Sequence, residues 1–95
     1  MRGIFSPENL NEPVEFQIAR QLRLLRESNH VNQQQVAQAL HISRSSYAYY
    51  ETGKTRPELE NLVRLAWLYD VSLEFILGLE KDQQPGRPLV LLIWL

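Results

Sequence analysis

The sequence predicts an all-α fold of five short helices. Three observations carry that expectation: cap-forming residues stand before the apolar runs, apolar residues within the runs recur at helical spacing, and turn-forming residues follow them. Its 95 residues, 44% of them apolar, suit one small helical core.

The first helix is expected from about Pro13 to Asn29, after an irregular arm over 1–12, with Ile18, Leu22 and Leu25 on its inner face. Asn32 opens the second as an N-cap, Gln35 can return the bond in a capping box, and Val31 can staple against Val36. Ser43 opens the third, with Ile42 and Tyr47 as the equivalent staple. The fourth is expected from about Glu58 to Tyr69, its first turn set by Pro57, with Leu59, Leu62, Leu65 and Ala66 inward and Trp67 on the wet side. Ser72 caps a short fifth helix, Val71 and Ile76 form its staple, and Gly78 ends it. His30 and His41 hold post-helix turn positions that call for positive φ, which His tolerates better than most side chains.

The second and third helices together read as a helix-turn-helix. Ala37 is small where the two must approach closely, and Val36, Leu40, Ile42, Tyr47 and Tyr50 form the apolar seam. The 3.6-residue period then leaves Arg44, Ser45, Ala48 and Tyr49 outward on the third helix. Such a pair can lay its second helix in the DNA major groove while the first crosses the backbone.

From about Ile18 to Gly78 the chain resembles the lambda-repressor-like, Cro and xenobiotic-response-element family of DNA-binding domains. The resemblance rests on Arg26-Glu27, Asn32-Gln33, Ser43-Arg44-Ser45-Ser46, Tyr50-Glu51-Thr52-Gly53-Lys54 and Val71-Ser72-Leu73-Glu74-Phe75-Ile76-Leu77-Gly78, in family order and spacing. It implies a five-helix domain over 13–79 that binds double-stranded DNA. It also implies that Gln33 touches a phosphate while Arg44, Ser45 and Tyr49 face base edges. Asn32 and Ser43, at the helix starts, join Gln33 as phosphate-facing residues. The chemistry suits these roles: Arg44 can bond guanine in parallel, Ser45 donates or accepts, and Tyr49 offers a ring and a hydroxyl. The bland alternatives are a solvated charge for Arg44 and simple surface cover for Tyr49. The family further implies a structural ion pair between Arg26 and Glu51, against the alternative of two independent surface charges.

Net charge is −1, yet it divides unevenly. Between Val14 and Arg56 there are six basic and three acidic residues, leaving four basic and eight acidic elsewhere. Lys54 and Arg56, just beyond the third helix, are therefore placed like phosphate clamps, or else form a solvated loop. Two histidines with no cysteine make a poor metal set, and no metal or other cofactor is expected. The absence of cysteine excludes a disulfide framework and suits a reducing cytoplasm. No phosphate loop or nucleophile–base pair points to an enzyme. Nor does a basic-then-apolar leader direct export.

After Gln83-Gln84-Pro85-Gly86, the tail over 80–95 ends in seven uncharged apolar residues, Leu89 to Leu95. That run is too short to span a membrane and too apolar to sit comfortably in water. Packing on its own domain, sharing between subunits and insertion into another protein all fit, and twofold symmetry favours sharing. Trp67, Leu89, Leu91, Ile93 and Trp94 are the dimerisation candidates. Two functions follow as expectations: a repressor that binds a palindromic operator as a homodimer, or an antitoxin that neutralises a toxin through its tail and autoregulates its operon.

Overall fold

The computed structural model describes residues 12–79. Five helices follow one another: α1 (Val14–Ser28), α2 (Gln33–Leu40), α3 (Arg44–Thr52), α4 (Leu59–Tyr69) and α5 (Leu73–Ile76). The 1–11 part of the expected arm and the tail from Glu80 onward lie outside the described residues.

Local chemistry explains the starts of α2, α3 and α5 and the exits of α1, α2 and α4. Asn32 Oδ1 accepts from the Gln35 amide at 2.8 Å while Gln35 Oε1 accepts from the Asn32 amide at 2.9 Å, which completes the expected capping box. Ser43 and Ser72 accept from the amides of Ser46 and Phe75 in the same manner. At the other end, the chain leaves α1, α2 and α4 through His30, His41 and Asp70, with φ of 57°, 60° and 57°. Paired bonds close each exit, as in Ile42 N to Ala37 O and His41 N to Gln38 O after α2.

A shared residue then joins one helix to the next. Val31, Ile42 and Val71 each follow a left-handed residue and precede an N-cap, so one apolar side chain serves the exit of one helix and the entry of another. All three pack on the core.

That core is one cluster to which all five helices contribute. Ile18, Leu22 and Leu25 are buried as expected, against Val36, Ala37 and Leu40 of α2, Tyr47 and Tyr50 of α3, and Leu62, Leu65 and Leu68 of α4. Each fully buried large apolar side chain contributes about 1.5–3 kcal/mol relative to exposure. Gln21 Nε2 donates to Phe75 O at 2.9 Å, which ties α5 across the far side of α1. Gly78, at φ 81°, ends α5 so close to α1 that an added Cβ would lie 2.7 Å from Gln17 Oε1.

Two expectations for α4 need correction. Leu59 is 70% exposed, because the buried face is centred on Leu65 and runs through Asn61, Leu62, Leu68 and Tyr69. Pro57 precedes the N-cap Glu58 and therefore lies outside the first turn. Trp67 is exposed, as its position predicts.

His41→Gly should be neutral or stabilising, because glycine removes the Cβ penalty at φ 60° while the closing bonds remain. A clear fall in thermal midpoint would show that the imidazole itself contributes to the turn.

Candidate nucleic-acid interface

α3 has two chemically different sides. Tyr47 and Tyr50 point into the core with rings 6.0 Å apart in an edge-on arrangement, and Asn61 Nδ2 of α4 donates to the Tyr50 hydroxyl at 3.0 Å. The opposite side presents Arg44, Ser45 and Tyr49 to solvent, with Ala48 half-buried between them. The three expected base-facing residues thus share one open surface.

The orientation of that surface is fixed from behind by an ion pair. Arg26 Nε and Nη2 of α1 donate to Glu51 Oε2 and Oε1 at 2.6 and 3.1 Å. The pair is interior, since the Glu51 side chain is only 3% exposed and that of Arg26 17%. Arg26 also reaches Val31 O at 3.1 Å, and Arg23 Nη2 donates to the Glu51 backbone carbonyl at 2.7 Å. Two of the three arginines of α1 therefore grip the end of α3.

The Glu51 carboxylate continues forward to the open surface. Gln33 Nε2, at the start of α2, donates to Glu51 Oε1 at 3.1 Å, and Arg44 Nη1 donates to Gln33 Oε1 at 2.9 Å. Burial alone would push the Glu51 carboxyl upward. Hydrogen bonding from Arg26 and Gln33 outweighs that effect and holds it below its ordinary value of 4.5. Close by, Tyr47 and Tyr69 are raised above the ordinary phenol value, chiefly by desolvation.

Around the rim, the predicted phosphate-facing residues are differently engaged. Asn32 and Ser43 direct side-chain oxygens at their own helix starts. Lys54 Nζ lies 4.5 Å from the centre of the Tyr49 ring, a cation–π contact. Arg56 Nη2 donates to Glu15 Oε1 at 2.9 Å and so is paired with α1. Leu89, Leu91, Ile93 and Trp94 lie outside the described residues.

Comparison with known proteins agrees with this geometry: a family described as "Helix-turn-helix domain" matches residues 17–74. The chain belongs to the helix-turn-helix domain family. Its relatives include the uncharacterized HTH-type transcriptional regulator YobD of Bacillus subtilis (strain 168), 45% identical over 64 residues, covering 67% of this chain and 57% of that protein. AnsR, an HTH-type transcriptional regulator of the same organism, is 43% identical over 60 residues, covering 63% of this chain and 52% of its own. YonR, an uncharacterized SPbeta prophage-derived HTH-type regulator, is 39% identical over 56 residues, or 59% and 52% of the two chains. The matches span about half the length of these relatives. No solved structure matches the chain.

Within this helix-turn-helix, the sequence reading identified the open face and the ion pair. It missed Arg23 as a second anchor, Gln33 as a partner of both Glu51 and Arg44, and Tyr69 beside the buried pair. An arginine three residues before Arg26 on the same helix was the available signal for Arg23. Helix-turn-helix domains are binding domains and not catalytic ones, and among the described residues no group of three or more His, Cys, Asp or Glu is placed to hold a metal ion.

Removing Glu51 strands the Arg26 charge in a largely dry site, so Glu51→Ala should destabilise the domain by about 3–5 kcal/mol in chemical or thermal melts. A loss below about 1 kcal/mol would mark the pair as energetically a surface one. Because the folded state lowers the Glu51 pKa, its contribution is fully present above 4.5 and is lost as pH falls through the lower folded-state value. The melting midpoint should therefore drop on acidification below 4.5, and less steeply in Glu51→Gln.

Proposed function

We propose that this chain is a sequence-specific, double-stranded-DNA-binding regulator of transcription of the lambda-repressor, Cro and xenobiotic-response-element type. It acts as a repressor that occupies a palindromic operator as a homodimer. The observation that carries this reading is the exposed Arg44, Ser45 and Tyr49 surface of α3, held rigidly on a buried tyrosine face. The relatives YobD and AnsR, both named as HTH-type transcriptional regulators, support the same reading.

In this account α3 enters the major groove and Arg44 gives parallel hydrogen bonds to a guanine edge. Ser45 and Tyr49 face neighbouring bases, with Tyr49 offering its ring edge to a thymine methyl while Lys54 covers the ring face. Asn32, Gln33 and Ser43 approach one stretch of backbone, and Lys54 and Arg56 another; Arg56 exchanges its Glu15 partner for a phosphate. Twofold pairing sets two copies of α3 about 34 Å apart, one helical turn of DNA. Exposed Trp67, together with Leu89, Leu91, Ile93 and Trp94 of the tail, supplies the contact between subunits.

Selection from a random duplex pool should return a palindrome, and Arg44→Ala should cost about 1–3 kcal/mol with relaxed preference at one base pair per half-site. A loss uniform across sequences would make Arg44 a phosphate contact, and an enriched pool with no shared motif would remove the specific regulator.

A further inference from the structure

We propose that Glu51 is a specificity-determining residue that touches no DNA: its carboxylate fixes which way the Gln33 amide faces, and that amide aims Arg44. The inference rests on the reading of Arg44 as a base contact.

An ionised carboxylate only accepts hydrogen bonds, so Glu51 Oε1, 3.1 Å from Gln33, accommodates the amide nitrogen of Gln33 and never its oxygen. The oxygen is thereby turned to the opposite side, where Arg44 Nη1 donates to it at 2.9 Å. A guanidinium has no acceptor. If the amide were reversed, its nitrogen would meet the Arg44 donor and the contact would become repulsive. Arg26 completes the device by supplying the charge that keeps Glu51 ionised.

Geometry also favours a one-way arrangement. Arg44 leads α3 with an exposed, rotatable side chain, whereas Gln33 is half-buried and Glu51 buried. Order therefore passes outward, from an interior ion pair through one amide to a reading guanidinium. One of the five Arg44 N–H donors is spent on Gln33, and four remain for the DNA.

Gln33→Met, close in length but without donor or acceptor, is the first test. It should lower the preference for the cognate base pair at the Arg44 position by about tenfold, over and above any loss of backbone contact that all duplexes share. Combined with Arg44→Ala, it should add almost nothing at that position. A loss equal on every duplex, with the base preference at the Arg44 position intact, overturns the proposal. If Arg44→Ala itself lacks a base-specific effect, the underlying reading fails instead.

Glu51→Gln tests the source of the orientation, at a temperature where circular dichroism shows the variant folded. It should reproduce the tenfold loss of base preference, because a neutral amide tolerates either orientation of Gln33. Full retention of preference in the folded variant overturns the proposal. Should the variant fail to fold, the Gln33 side-chain amide of the unaltered chain is followed by nuclear magnetic resonance during acid titration. A resonance that shifts with the Glu51 carboxyl is expected, and one that ignores it overturns the assignment.

Discussion

The structure turns on a single buried interaction, the two-pronged bond between Arg26 of α1 and Glu51 at the end of α3. A nine-residue helix has too few internal bonds to persist alone, so its direction must come from its neighbours. Apolar packing brings α3 to α1 but tolerates small rotations. A planar guanidinium facing a carboxylate does not. Such a pair adds little net stability over a well-packed apolar substitute, since both ions give up water, and its contribution here is angular.

Aromatic choice on the inner face of α3 reinforces that constraint. Tyr47 and Tyr50 bury large rings, which anchor a short helix with few residues, and each brings a hydroxyl that must be accommodated. Asn61 answers Tyr50, while Tyr47 lies in the polar interior with Glu51 and Tyr69. The interior beneath the open face of α3 is therefore part hydrocarbon and part polar network, and displacing α3 disturbs both at once.

Much of the architecture was legible because it depends on chemistry between residues close in sequence. N-caps, the capping box and the post-helix turns at His30 and His41 need only neighbours, so reading residue types in order was enough. The face of α3 was legible for a similar reason, through its period. Leu59 was misread because hydrophobic character was weighted over phase: with Leu65 at the centre of the buried face, position 59 falls about 120° away. Asp70 shows the converse, a left-handed exit at a residue type that tolerates positive φ much as His does but that the sequence reading passed over. The bonds from Gln33 to Glu51 and Arg44 join three helix positions far apart in the chain, and their existence depends on rotamers that no linear pattern records.

The connector made of His41, Ile42 and Ser43 has a consequence for how such a domain diversifies. Because one side chain closes α2 and opens α3, the elbow has no slack, and one inserted residue would swing Arg44 by about 100° around its axis. Length change is thus closed to this part of the chain. Exchange of the outward side chains is not, since the elbow is closed by the Ile42 and Ser46 amides and the outward residues add only a 3.3 Å contact from Ser45 Oγ to Ser43 Oγ. The same rigid joint can carry many different alphabets on its outer edge.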